Sequence, residues 1–306
     1  MRAEILIPLL AAAVQSGTPI LYATLGEIIT EKSGVLNLGV EGIMMMGALG
    51  GFLVSLYTGN PVIGFVAGGV FGALIAGIHG LVCLVFQGNQ VVSGLAITIL
   101  GTNLANYLGT PYVGNAVPGF GTLPVPYLSG IPVVGPILFR LDMLVYVSYF
   151  VPFVVWIFLR YTRWGLGLRA MGENPEAGSA GGLGVMAHRW AGTLAGGFLA
   201  GLGGAYLSLA YTHLWTNGLS AGRGWIAVAL VIFAFWKPGR AMLGAYLFGG
   251  VMAFQLRLQA MGTNLPSSLL LMLPYALTVL VLVLSSWRAK GSDAPAVLGV
   301  NFEPIE

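Results

Sequence analysis

Residues 160–178 read R-Y-T-R-W-G-L-G-L-R-A-M-G-E-N-P-E-A-G, the one long charged and glycine-rich segment in a chain whose neighbouring runs are apolar. Arg160, Arg163 and Arg169 follow directly on the apolar run 144–159. Basic residues collect on the cytoplasmic side of membrane proteins, so these arginines place the segment inside and orient the crossings counted outward from it. Within it Asn174 has the form of a helix N-cap, Pro175 suits the first helical position, and Glu176 is favourable to the helix dipole. Gly172, Glu173, Asn174, Pro175, Glu176 and Ala177 therefore read as the start of a short exposed helix ending near Gly181 and Gly182. Such a helix is either a plain connection or a docking element for a cytoplasmic partner.

Composition sets the class. Of 306 residues, 57% are hydrophobic and 8% charged, against about 25% charged in an ordinary soluble domain. The expected fold is an all-α polytopic membrane protein, since runs such as 62–86 exceed the roughly 20 residues needed to cross about 30 Å of hydrocarbon. The net charge of +3 is carried by bases at loop ends, which report topology and give no sign of a nucleic-acid partner. A single cysteine, Cys83, excludes an intrachain disulfide, and His79, His188 and His213 lack metal-ligand spacing. Arg2 and the alanines 11–13 loosely imitate a signal peptide. Glu4 weakens that reading, and the apolar pattern continues through Pro19 to Ile29 as a first spanning helix bent at proline.

The remaining inner markers are Lys237 with Arg240 and Arg288 with Lys290. Between Arg189 and Lys237 one full span fits at 190–211, but the return run 225–236 is too short to cross. Residues 212–224, T-H-L-W-T-N-G-L-S-A-G-R-G, must complete that crossing, and so polar a stretch is tolerated at membrane depth only inside protein or along a cavity. The first half repeats the plan: a span at 5–29, the interruption 31–42, and a short run 43–57. The expectation is about eight or nine spans in a weak inverted repeat with two interrupted segments, an arrangement that in transporters marks the binding site. Residues 110–136, dense in proline and aromatics, read as an ordered external loop. Small residues every fourth position, Gly64 to Gly80 and Gly192 to Gly204, read as close-packing helix faces.

Polar residues expected at depth are Asn37, Glu41, Asn89, Gln90, Ser93, Asn103, Asn106, Asn217 and Arg223. Each could be helix-to-helix glue. Asn37, Asn89, Gln90 and Asn217 stand out because they adjoin glycine in interrupted segments. A buried carboxylate costs on the order of 3 kcal/mol unless paired, so Glu41 needs partners, and Arg223 is a candidate. Arg257 reads as a snorkelling outer anchor. With Trp215 near the outer mouth to stack a flat ring, the neutral, amide-rich lining suits a nucleoside or sugar better than an ion. Residues 218–222 match G-x-S-x-G, but the strand-turn-helix context of a hydrolase is missing.

Three motifs in order carry a resemblance: S-G-V-L-N-L-G-V-E-G-I-M-M-M-G-A (33–48), G-N-Q-V-V-S-G-L-A (88–96) and G-E-N-P-E-A-G-S-A-G-G-L-G-V (172–185). They resemble bacterial ABC importer permeases of the branched-chain amino acid and ribose superfamily, within the simple sugar and nucleoside subgroup served by lipoprotein receptors of the basic membrane protein type. Gly178 departs from the pattern, which has alanine there. The resemblance implies a permease domain at 1–290 containing a cytoplasmic coupling loop at 161–188, and a cytoplasmic tail at 291–306. It implies no enzyme activity and no cofactor bound by this chain: ATP and Mg belong to a separate cytoplasmic ABC ATPase, and no G-x-x-x-x-G-K-[ST] occurs here. A second, non-identical permease subunit, an extracytoplasmic substrate-binding lipoprotein, membrane lipid and a bacterial inner-membrane location complete the expectation. The implied solute is a nucleoside, with a sugar or riboflavin as alternatives. The rival from another class is an autonomous secondary transporter.

Overall fold

In the computed structural model, residues 3–262, 266–288 and 294–302 are described. Arg2, Lys290, and the tail positions 291–293 and 303–306 lie outside them. The chain forms α1 (Ala3–Lys32), α2 (Val40–Thr58), α3 (Pro61–Gly80), α4 (Gln90–Gly109), α5 (Val134–Leu138), α6 (Met143–Tyr161), α7 (Arg163–Glu173), α8 (Pro175–Ala180), α9 (Val185–Tyr206), α10 (Arg223–Phe233), α11 (Pro238–Ala260), α12 (Ser267–Leu271) and α13 (Leu273–Arg288). Among the described residues there is no β-strand, only two isolated bridges. Among the described residues seven helices are long and apolar enough to cross a membrane, and two apolar helices, Arg223–Phe233 and Leu269–Val281, are shorter. That count matches an all-α polytopic protein.

Lys32, Arg160, Arg169 and Lys237 gather at one end, which is the cytoplasmic end by the positive-inside rule. Helix α1 therefore runs inward and its N-terminus lies outside. The turn 33–39 leads to α2 running outward, and α3 and α4 follow as an inward and an outward span. The external loop packs onto the outer ends: Ser55 Oγ donates to the Pro118 carbonyl at 2.8 Å, and the Phe120 amide to Leu209 O at 2.8 Å. The loop is bonded to the helices beneath it at several points.

One expectation is corrected. The run 43–57 was expected to be too short to cross, but α2 begins at Val40 and its 19 residues span unaided. The first interruption is confined to residues 33–39. In the second half the shortfall is real: α10 has 11 residues, about 16 Å at 1.5 Å per residue, or half a crossing. Residues 212–222 supply the other half without helix, with His213, Gly218, Ala221 and Gly222 all at positive φ.

Small residues set the packing of the core helices. A Cβ on Gly72 or Gly201 would strike the backbone of the facing helix, as would one on Gly204 against Met44. Such contacts let α3, α9 and α2 approach more closely than side chains permit. The arrangement has the expected inverted pattern: α1 lies against α11 as α9 lies against α3, and the first turns of α2 and α10 meet from opposite directions.

Candidate functional site at the meeting of two helix starts

Glu41, in the first turn of α2, sits where the two halves join. Its Oε1 accepts from Ser220 Oγ at 2.5 Å and the Gly222 amide at 2.9 Å, and its Oε2 accepts from the Gly224 amide at 2.7 Å. The amides are those that a helix N-terminus leaves without an internal partner, so a carboxylate there satisfies donors and dipole together. Gly224 must be glycine, because a Cβ would meet the Glu41 backbone. The suspected partner, Arg223, turns elsewhere: Nη1 donates to Ser220 O at 3.1 Å, and the guanidinium lies 5.4 Å from the Tyr211 ring. The structure thus brings the two residues to one junction without pairing them. Ser220 donates to a carboxylate and His213 contacts the Phe120 carbonyl, so the G-x-S-x-G match holds no nucleophile and base.

On the inner side, residues 33–39 are held from several directions. Asn37 is 1% exposed; its Oδ1 accepts from the Gly39 amide at 2.9 Å, and its own amide donates to Glu27 Oε1 at 3.2 Å. Gln90 accepts from the Leu36 amide at 2.8 Å. His79 Nε2 donates to Leu36 O at 3.0 Å, while its Nδ1 meets Ser93 Oγ at 2.9 Å. Asn89 is the exposed N-cap of α4, accepting from the Val92 amide.

Facing outward, Asn217 is exposed, Asn103 likewise, and Asn106 fixes the descending segment by accepting from the Gly218 amide at 2.9 Å. A cavity of about 340 Å³ opens beside the junction, lined by Ala221, Arg223, Met252, Gln255 and Tyr275 among others. Trp215 does not meet its expectation. Its ring is fully buried against Phe52, 6.0 Å between centroids, and under Gly109. A flat solute has no face of it to stack on in this conformation.

On the cytoplasmic face, Asn174 caps α8 through the Ala177 amide at 2.9 Å. Pro175 and Gly178 face inward, and Gly178 lies against Met171, where a Cβ would collide with its methyl. Glu176, Ala177, Ser179 and Ala180 are exposed, and so are Glu173 and Asn174. Residues 294–302 cross this face as a strap, which sequence reasoning did not find. The Val297 amide donates to Gly172 O at 3.0 Å and the Gly299 amide to Gly34 O at 3.1 Å. Asn301 Nδ2 donates to Gln87 O at 2.7 Å, and its Oδ1 accepts from Gln90 at 2.9 Å. Arg189 donates to Val300 O at 2.9 Å. One short segment thereby touches the last turn of α7, the turn 33–39 and the start of α4. Glu27 and Glu31, buried on α1 and bonded to Asn37 and Trp236, were also missed.

The family of branched-chain amino acid transport system permease components matches residues 9–282. The chain belongs to this family. It is 45% identical over 261 residues to the putative glucose ABC transporter permease protein TsgC13 of Haloferax volcanii, covering 84% of this chain and 79% of that one. It is 34% identical to the nucleoside ABC transporter permease protein NupC of Lactococcus lactis, over 93% of each chain. It is 31% identical to the guanosine ABC transporter permease protein NupQ of Bacillus subtilis, over 98% of this chain and 97% of that one. Haloferax volcanii and Bacillus subtilis each hold a further, more distant permease relative, at 25% and 22% identity. No solved structure matches the chain. The permease is thus a multi-pass subunit of the cytoplasmic membrane and no enzyme in itself. As an ABC permease it works with an ATPase subunit and a substrate-binding protein, which sets aside the autonomous secondary transporter.

Proposed function

We propose that this permease moves a neutral, sugar-bearing solute inward, a nucleoside first. The observation that carries the reading is the end-to-end match to two relatives named for nucleoside and guanosine transport. The chemistry of the junction agrees with it: Glu41 is engaged by three protein donors, and the cavity beside it presents the Gln255 amide and the Tyr275 hydroxyl together with Arg223, while Asn217 and Asn103 are exposed amides elsewhere. Such groups match the edges of an uncharged solute better than an ion. Glucose is the second reading, favoured by the relative at 45% identity.

In this proposal residues 1–290 form the transport domain, 161–188 its coupling loop and 291–306 a cytoplasmic tail. Helix α8 docks on the ATPase, which alone binds ATP and Mg. Its displacement reaches residues 33–39 through the end of α7 and the strap 294–302, which is bonded to Gly172 and Gly34. An extracytoplasmic lipoprotein delivers the solute. The second permease is a different chain, supported by the two organisms that hold a near and a distant relative of this one.

The test is ATP-driven uptake of labelled guanosine, uridine, ribose, glucose and riboflavin into vesicles holding the complete transporter. Guanosine or uridine uptake, displaced by unlabelled nucleosides and not by glucose, is expected. Uptake confined to glucose would replace the first reading with the second, and uptake confined to an amino acid or a metal ion would overturn both.

A further inference from the structure

A cavity of about 280 Å³ at the cytoplasmic end is lined by Lys32, Arg160, Arg169 and Lys237, with Trp156 and Trp236 among its walls. The four cations come from four places in the chain: the end of α1, the end of α6, the middle of α7 and the residue before α11. A positive-inside signal accounts for bases at these ends. It does not by itself account for the two guanidinium groups of Arg160 and Arg169 opening on one hollow, beside the Trp236 wall that Glu31 bonds. Arg169 Nε is buried there and has no hydrogen-bond partner among the described residues. The Glu41 junction is formed by other residues.

We propose that this cavity binds the phosphate-bearing headgroup of an anionic phospholipid of the inner leaflet. Phosphate matches the donors, because guanidinium groups present forked N–H pairs to it and ammonium groups add point charge. The aromatic surroundings favour a lipid over a soluble phosphate. Trp156 is 38% exposed on the outer face of α6, stacked at 5.8 Å on Phe153, which is 58% exposed one turn deeper. Arg160 lies 6.0 Å over the Trp156 ring, so the mouth of the cavity continues into an apolar, aromatic surface that faces the bilayer. Rings of this kind sit at headgroup level, and basic pockets between helices on this side hold anionic headgroups. A lipid there would bridge α1, α6, α7 and the start of α11, and so steady the base of the coupling loop.

The experiment uses the complete transporter in detergent, scored by native mass spectrometry and by thermal unfolding midpoint. Phosphatidylglycerol, phosphatidylcholine and inorganic phosphate are the added probes. Wild type is expected to retain phosphatidylglycerol in preference to phosphatidylcholine and to gain thermal stability from it. Arg160→Gln with Arg169→Gln is expected to weaken that retention about tenfold or more, since each base near the surface contributes measurably to such binding. Arg163→Gln, which alters an inner arginine outside the cavity, should leave it within about twofold. Arg160→Lys with Arg169→Lys keeps the charges and serves as the folding control, with retention expected to be partly preserved. Equal retention of both lipids, or equal losses in the Arg163 and double variants, would overturn the proposal. Stabilisation by inorganic phosphate as strong as by the lipid would assign the site to a soluble anion instead. Loss of the ATPase subunit from the double variant with lipid retention unchanged would assign it to a protein contact.

Discussion

Glu176→Lys together with Ala177→Asp is expected to lower ATP-driven uptake at least ~tenfold while leaving insertion and thermal unfolding of the permease unchanged. Both side chains are exposed, whereas Pro175 and Gly178 seat the helix on Met171 and the body of the protein. The double substitution therefore leaves the seating intact and changes only what α8 presents to its partner. An unpaired charge buried at an interface costs about 1–3 kcal/mol or more, enough to weaken docking by one or two orders of magnitude. Uptake into vesicles, read beside ATP hydrolysis by the same complex, checks it. Hydrolysis that persists without uptake is the expected signature, and normal uptake would remove α8 from the coupling path.

Glu41→Ala has the larger expected effect on the fold. It leaves Ser220 Oγ and the amides of Gly222 and Gly224 without their acceptor at the buried start of α10. Each orphaned donor costs about 1–3 kcal/mol, so a loss on the order of 3 kcal/mol or more is expected, out of the 5–15 kcal/mol typical of a folded domain. Glu41→Gln should recover little, because one of its two acceptor oxygens becomes a donor facing other donors. Thermal unfolding in detergent and uptake both report on this. If Glu41→Ala melts as wild type does and transports normally, the junction is not held by this carboxylate.

The class of fold was legible because hydrocarbon thickness translates directly into run length. The same arithmetic found the second interruption: residues 225–236 could not cross, and α10 with the unwound stretch 212–222 is the result. It failed at the first, where glycines 34, 39 and 42 were read as one long break. In the structure the turn is complete by Gly39, and Gly42 is a packing position against the backbone of Ile97 and Thr98 inside α2. Composition cannot distinguish a glycine that breaks a helix from one that admits a neighbour.

Glu41 was marked correctly as a residue in need of partners, but the partners were sought among charged side chains. The answer lay in backbone amides of a helix start, which no residue letter announces. Trp215 was read as a stacking surface because its segment reaches the expected outer mouth, whereas the closeness of Gly109 and Phe52, remote in sequence, encloses it. The strap 294–302 was invisible for a related reason: its bonds are mostly made by main-chain atoms and one asparagine. Glu27 and Glu31 did carry a signal, two carboxylates one turn apart within an apolar run, and that spacing could have marked the face of α1 that supports Asn37.

We expect the two interrupted segments to border the solute pathway and to open in alternation as the ATPase cycles. Single cysteines at Asn217 and at Asn37, each in a Cys83→Ala background, test it through their reaction rates with a small water-soluble thiol reagent. The complete transporter would be measured without nucleotide, with ATP and a trapping inhibitor, and with ADP. In the present conformation Asn217 is exposed and Asn37 is 1% exposed, so Asn217→Cys should react readily and Asn37→Cys slowly. In at least one nucleotide state the order is expected to shift, with Asn37→Cys gaining and Asn217→Cys losing about tenfold or more, as for a two-state gate whose populations move by over about 1.4 kcal/mol. Rates that stay constant at both positions in every state would contradict it.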